Sequence, residues 1–343
     1  MKEYHKIEKK LSELFEKWNG KIPDEIKQLP HSGSSRIYYR IKHKEISCIG
    51  VYNNNLSENI AFLNFTNQLQ NSRICVPKIF TENLENNIYM IQDLGDQQLL
   101  AWLLSDKKNN PFSDKALNIY KTVIRELVRI QIIAGRDFDY SKCYQQSEFN
   151  EESIMHDLNY FKTNFVDAKK IKYDQIKLNT EFSHFTNHLL TADNNYFMFR
   201  DFQARNIIIV NDFPFFIDYQ GGRKGPLQYD LVSLLFQAKA EIPSQIKNQL
   251  LNYYINIAQL FIPINKNEFI EYYFAFALIR VLQTLGAYGL RGLIEKKEHF
   301  IESIPLAINN LDYLIDKVEI LNQLPTLKNI ISQITNTEEL NYE

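Results

Sequence analysis

The chain has 343 residues, 45% of them hydrophobic, which is enough for a core larger than one small domain requires, and a formal net charge of -2. That balance, with Lys and Arg dispersed along the chain, argues against a nucleic-acid binder working by bulk electrostatics and leaves only a local basic groove open. Cys48, Cys75 and Cys143 are too scattered for a disulfide framework and form no zinc-type CxxC pair, Met1-Lys2-Glu3-Tyr4-His5 has no apolar signal core, and no uninterrupted apolar run reaches the ~18 residues of a membrane span, so a cytoplasmic protein is expected.

Ile7, Leu11, Leu14, Phe15 and Trp18 recur at helical spacing before Asn19-Gly20, which predicts an opening amphipathic helix. From Gln28 to Val51 the pattern changes to short extended runs, Ile37–Ile41 and Ile46–Val51, read as an antiparallel meander. In the turn that enters it, His31-Ser32-Gly33-Ser34-Ser35-Arg36, the small residues allow backbone amides to approach phosphate oxygens and Arg36 adds charge. An ordinary loop is the plainer alternative. Ser57–Gln70 reads as a helix with Ser57 as its N-cap, and Val76–Ile79 and Ile88–Ile91 as strands around the Asn83–Asn87 turn. Gln92-Asp93-Leu94-Gly95-Asp96 ends this sheet, so residues 1–95 are expected to form a first lobe.

Residues 96–335 read as a second, helical lobe and 336–343 as an acidic tail. Helical texture starts at Leu99–Leu104; helices are expected over Lys115–Ala134, Glu151–Phe165, Asn179–Leu190, Tyr229–Ala240 and Ser244–Leu260, then Lys266–Leu293, Lys297–Val318 and Leu324–Thr335. His156 reads as a surface or capping histidine, and Gly221–Pro226 as a flexible basic loop. The predicted class is α+β: a small antiparallel-sheet lobe followed by a larger, mostly helical one.

The chemistry is expected just before Gly221. An aromatic run, Phe197-Met198-Phe199, leads into Arg200-Asp201-Phe202-Gln203-Ala204-Arg205-Asn206; the strand Ile207–Val210, the turn Asn211-Asp212 and a second strand ending at Asp218 follow. Phosphoryl transfer needs a carboxylate to accept the attacking hydroxyl's proton, and an oxygen ligand with a second carboxylate to hold magnesium against nucleotide phosphates. Asp201, Asn206 and Asp218 supply those types. The structural alternative has Asp201 capping a turn and Asp218 binding local amides, but it does not explain why three ligand-type residues converge on one hairpin. There is no GxSxG elbow, HExxH pair or Walker loop.

This stretch resembles the catalytic segment of the aminoglycoside-phosphotransferase-like kinases, relatives of protein and choline kinases, which carry Asp-x-x-x-x-Asn followed by Ile-Asp-aromatic after a short hairpin. Arg200–Asn206, Ile217-Asp218-Tyr219-Gln220 and Tyr229-Asp230-Leu231 carry the match. The resemblance implies a bilobal protein-kinase-like fold from about Gln28 to Leu314, with Asp201 as catalytic base, Asn206 and Asp218 as magnesium ligands, and Asp230 as a structural brace. It further implies ATP between the lobes, with adenine against the segment holding Gln92, Asp93 and Leu94. The phosphates would lie near Gly33, Ser34, Ser35, Arg36 and Arg40, and Arg205 or Arg223 would offset moving charge. Ser34–Arg40, Asp201–Asn206, Gly225–Leu235 and Arg280–Gly286 are similar to the bacterial anomeric kinases of N-acetylmuramate and N-acetylglucosamine. That similarity implies an amino-sugar acceptor touched by Asp157, Arg223, Arg280 and Gln283, of which Asp157, Arg280 and Gln283 could equally be surface or helix-packing residues; the wider family also accepts aminoglycosides, choline, methylthioribose and homoserine.

The chain departs from the family pattern at three places. Phe199 stands where a His is usual, and the entry turn has one glycine, Gly33, where protein kinases have three. The strand Ile46–Val51 lacks the Lys that grips nucleotide phosphates and pairs with a helix Glu, which leaves Glu58 without an assigned partner and makes Arg36 or Arg40 the substitute. That absence supports a rival reading, a nucleotide-binding pseudokinase; retention of Asp201, Asn206 and Asp218 speaks against it. The expected partner is a small-molecule hydroxyl acceptor, a sugar by the resemblance, with neither a nucleic-acid nor a membrane partner expected.

Overall fold

A computed structural model describes residues 2–30, 35–107 and 112–336, so Gly33, Ser34 and nearly all of the expected acidic tail lie outside the described residues. The first helix, α1 (Lys2–Asn19), sets Leu11, Leu14 and Phe15 on Tyr39, Ile41, Cys48 and Met90. It thereby covers one face of an antiparallel sheet of β1 (Glu25–Gln28), β2 (Ile37–His43), β3 (Ile46–Tyr52), β4 (Ile79–Asn83) and β5 (Ile88–Gln92), in the order β1-β2-β3-β5-β4. The edge strand β1, with Ile26 its one apolar residue, has too little pattern to be read from sequence. At the opposite edge β4 begins at Ile79, after Pro77, which has no N–H to give to a ladder.

Between β3 and β4 runs α2 (Leu56–Asn71), capped by Asn55, whose side chain accepts from Glu58 N at 3.0 Å. Ser57 is therefore inside the first turn and not the cap. The other face of the sheet, including Ile49, Val51, Tyr89 and Ile91, joins Phe62 and Phe65 of α2 in a core continuous with the helical lobe. Polar ties reinforce that joint: Thr66 bonds the Tyr219 hydroxyl at 2.6 Å, Asp139 N donates to Gln68 at 2.6 Å, and Arg129 donates to the Arg73 carbonyl at 3.2 Å. Phe62 stacks on Tyr219, and Phe65 meets Phe138 and Phe197 edge-on.

The second lobe starts with α3 (Leu99–Asp106), α4 (Asp114–Val128), α5 (Glu151–Phe161) and α6 (Gln175–Leu190). Next come β6 (Tyr196–Met198), the hairpin β7 (Ile207–Val210) and β8 (Phe213–Phe216), and β9 (Arg223–Gly225). The chain ends in α7 (Leu227–Leu235), α8 (Ser244–Ala258), α9 (Lys266–Tyr288), α10 (Glu298–Ile301), α11 (Ile304–Ile315) and α12 (Pro325–Thr335). The single helix expected over residues 297–318 is interrupted before α11, where Pro305 cannot donate to the preceding turn. Three expected long helices pass instead into π-helical turns: α4 at Arg129–Ile133, α5 at Lys162–Val166 and α9 at Gly289–Ile294. The last two turns meet. A Cβ on Gly289 would lie 2.0 Å from the Asn164 carbonyl oxygen, so only glycine permits this approach.

The stretch Lys266–Ile294 is long and apolar enough to cross a membrane, but 67% of its most apolar window is buried inside the protein, as befits a core helix. Within the basic segment expected to be flexible at Gly221–Pro226, Arg223–Gly225 form strand β9, paired with β6 through Met198↔Arg223, and Arg223 is buried.

Candidate active site

The site forms where β6 runs out. Asp230, in the first turn of α7, accepts from Phe199 N at 2.6 Å, Arg200 N at 2.9 Å and Gln131 Nε2 at 3.2 Å. These bonds fix the chain as Arg200 takes a left-handed φ of 76° and turns the next residue outward. Burial pushes the Asp230 carboxyl up to about 7, against three donors that favour its anion. The Arg200 guanidinium turns the other way, donating to both Asp157 oxygens at 2.9 and 3.0 Å and to the Tyr229 hydroxyl at 2.6 Å. Asp157, expected on a charged face or against substrate, is 2% exposed and engaged by that pair. Phe199 packs edge-on against Phe202 and Tyr219, an apolar support where a His was expected.

Asp201 emerges from this brace with its side chain 49% exposed. Arg280 of α9 reaches its Oδ1 at 3.4 Å and is itself held by Ser233 at 3.0 Å and by Gln283. Asn206 donates to the Asp201 carbonyl at 2.9 Å and to Asp218 Oδ2 at 3.3 Å, so the three residues form one hydrogen-bonded cluster. A tight turn at Asn211 and Asp212, both left-handed, closes the β7–β8 hairpin and brings Asp218 back beside Asn206. Asp218 does not end the strand as expected: β8 stops at Phe216, and Asp218 lies beyond it with φ 70°.

The N-lobe closes the cluster through Arg36. Its Nη2 is 2.6 Å from Asp218 Oδ1 and its Nε 3.4 Å from Glu58 Oε1, at 6% exposure. Burial would raise the Asp218 carboxyl, but Arg36, Gln220 and the more distant Arg205 hold it below the usual carboxylate range. Because Ile37 pairs with Tyr52, Arg36 sits alongside Asn53, whose Nδ2 donates to Glu58 at 2.8 Å. A guanidinium just ahead of β2 thus meets the helix glutamate that has no β3 lysine to meet. Arg40 points elsewhere: it donates to Asp93 at 2.8 and 3.1 Å and to Asp96 at 2.8 and 2.9 Å, clamping the connector that carries Gln92, Asp93 and Leu94. Ser35 is exposed at the lip of this region.

Arg205 is exposed, and Arg223 is held by Gly221 O, Gln146 and Gln145 at 3.2, 3.3 and 2.9 Å. Tyr144, whose stretch has no periodicity to attract notice, brings a phenol within electrostatic reach of Glu58, Arg36, Arg223 and Asp218; burial is the main cause that pushes it up to about 12. Gln131, which links Asp230 to the Tyr254 hydroxyl at 2.6 Å, was also hidden, because an interior glutamine has no spacing signature. The donor set suits a hard cation: Asn206 offers an amide oxygen and Asp218 a carboxylate. Among the described residues no group of three or more His, Cys, Asp or Glu forms a metal cage.

Comparison with known proteins identifies the family and the fold. The profile of the phosphotransferase enzyme family (APH) matches residues 27–260. An N-acetylmuramate/N-acetylglucosamine kinase of Neisseria meningitidis serogroup B is 24% identical over 242 residues, 69% of this chain and 69% of that protein. Among solved structures, a choline kinase from Streptococcus pneumoniae aligns with TM-score 0.58 at 15% identity over 90% of this chain and 99% of its own. The ADP-bound aminoglycoside phosphotransferase APH(2'')-Ib aligns with TM-score 0.58 at 13% identity over 95% and 98%. These likenesses establish a kinase-like α+β fold.

Proposed function

The chain belongs to the phosphotransferase enzyme family, and we propose that it is an ATP- and magnesium-dependent kinase for the anomeric hydroxyl of a cell-wall amino sugar. The observation that carries the reading is the cluster of Asp201, Asn206 and Asp218, closed from the first lobe by Arg36. Small-molecule phosphotransfer follows from the family; the acceptor rests on the meningococcal relative and on the residues around Asp201.

In the proposed reaction ATP lies between the lobes, its base along the connector clamped by Arg40 and its phosphates reached by Arg36. Asn206 and Asp218 would hold magnesium, which when bound offsets charge on the phosphate oxygens. Asp201 aligns the acceptor hydroxyl with the γ-phosphorus and takes its proton as the new O–P bond forms and the bond to the β-phosphate oxygen breaks, releasing ADP. Arg280, 3.4 Å from its Oδ1, holds the Asp201 carboxylate in place. A hemiacetal hydroxyl, made acidic by the ring oxygen on the same carbon, gives up its proton to a carboxylate more readily than an ordinary alcohol does. Arg205, exposed beside the cluster, offsets charge during transfer. The proposed compartment is the cytoplasm, where ATP is available and the free thiols Cys48, Cys75 and Cys143 stay reduced.

The test is ADP release by purified protein with ATP and magnesium against N-acetylmuramate, N-acetylglucosamine, choline and an aminoglycoside. Product phosphorylated on the anomeric oxygen is expected, and Asp201→Asn should lower kcat about 10²- to 10⁴-fold with the fold intact. Turnover on choline or an aminoglycoside alone would remove the amino-sugar assignment. Nucleotide binding without turnover of any acceptor would favour a pseudokinase.

A further inference from the structure

We infer that the acceptor carries a carboxylate and that Arg223 receives it, a step that rests on the kinase reading and narrows its substrate class. Arg223 is 5% exposed, yet its hydrogen-bond partners are all neutral: the Gly221 carbonyl and the side-chain carbonyls of Gln146 and Gln145. No carboxylate of the described residues forms an ion pair with it. The other buried arginines of the site, Arg36 and Arg280, and the half-buried Arg200 each pair with an aspartate. A buried charge without a counter-charge is costly, and Arg223 is the exception that a bound anion would correct. Burial and the neighbouring Arg200 hold its guanidinium below the ordinary value, the direction expected of a cation lacking its anion.

The position of Arg223 points the same way. It pairs with Met198, whose strand leads straight into Asp201, and it follows Asp218 by five residues. Tyr144 lies within electrostatic reach of both Arg223 and Asp218. Of the five guanidinium N–H groups three are committed, and the Nη2 partner is Gln145, an exposed residue whose carbonyl a ligand carboxylate could displace. A cationic acceptor would need free carboxylates here. Asp157 is engaged by Arg200 and Asp230 by backbone amides, while Glu148, Glu151 and Glu152 are exposed on the rim, where water screens them.

The experiment compares kcat/KM for sugars that differ by a carboxylate, N-acetylmuramate against N-acetylglucosamine, in the wild-type chain, Arg223→Gln and Gln145→Glu. Loss of a charge-assisted contact should lower the ratio of the first to the second about 10- to 100-fold in Arg223→Gln. Gln145→Glu, a surface change that spares the buried group, presents Arg223 with an internal carboxylate and should lower the same ratio. It keeps the inference testable should Arg223→Gln fail to fold. Equal losses on both sugars, or an unchanged ratio in Gln145→Glu, would overturn it. If neither sugar is phosphorylated, the amino-sugar reading fails separately. The inference is then read by thermal shift: glucuronate should raise the wild-type melting temperature above the effect of glucose, and Gln145→Glu should remove that difference. An equal shift from the two sugars in the wild-type chain would refute it.

Discussion

Replacing Arg36 by Met keeps much of the side chain's length and removes the charge that joins the two lobes. The guanidinium lies 2.6 Å from Asp218 and 3.4 Å from Glu58, at 6% exposure. Deleting one member of a buried ion pair strands the other and costs about 3–5 kcal/mol; the side-chain exposure of Asp218, 35%, favours the lower end. Nucleotide binding should suffer separately. A charge-assisted bond to a phosphate contributes about 1.5–3 kcal/mol, so KM for ATP should rise about 10- to 100-fold. Both effects are measurable, by urea unfolding and by initial rates at saturating acceptor. The double variant Arg36→Met/Glu58→Gln separates them, because removing the stranded glutamate charge restores part of the stability and none of the ATP affinity. A KM for ATP within about twofold of wild type in Arg36→Met would reduce Arg36 to a structural tie and refute its proposed part in phosphate binding.

Two further outcomes concern the scaffold. Gly289→Ala puts a methyl 2.0 Å from the Asn164 carbonyl oxygen, which belongs to backbone and cannot swing aside; a loss of about 3 kcal/mol or more is expected by chemical denaturation. Lys247 is 7% exposed, bonded to Asn310 at 2.7 Å and set over Phe236, and burial brings its ammonium down to about 8. Its folded value lies below the unfolded one, so about 3 kcal/mol of destabilisation is fully present below pH 8 and is relieved as pH rises from there to the unfolded value near 10.5. Lys247→Met removes that penalty but leaves Asn310 without a donor, a loss of about 1–2 kcal/mol. The variant should therefore be about 1–2 kcal/mol more stable than wild type at pH 7 and less stable at pH 10.5, a reversal that paired urea titrations would reveal. A difference independent of pH would show that Lys247 is not desolvated.

Asp201, Asn206 and Asp218 were legible because the loop and hairpin that carry them are local: a strand, a fixed number of residues, and a tight Asn-Asp turn. What escaped was long-range. Arg36 and Glu58 are neighbours only because β2 lies against β3 and α2 folds back over the sheet. Asp157 looked like one more charge on a helix until Arg200, 43 residues on, took both its oxygens. Gly221–Pro226 has loop-like composition, and nothing local announces that β6 will supply a ladder for it. The π-helical turns were invisible for another reason: one extra residue per turn shifts apolar spacing by less than the eye can separate from an ordinary helix. Likewise, choosing Asn55 over Ser57 as the cap of α2 depends on where the backbone leaves the extended region.

The attachment of α2 to the helical lobe bears on how such an enzyme is controlled. Thr66, Gln68, Phe62 and Phe65 all bind partners in the second lobe, and the Glu58 end is tied to Asp218 through Arg36. In kinases that act as switches, the glutamate-bearing helix swings out and a modification brings it back. Here, moving it would open a continuous apolar core and break the buried Thr66–Tyr219 hydrogen bond along with the Gln68 and Arg36 ties, which disfavours the disengaged position. Flux then follows the supply of nucleotide and acceptor, and an inhibitor that depends on a swung-out helix would find no pocket to enter.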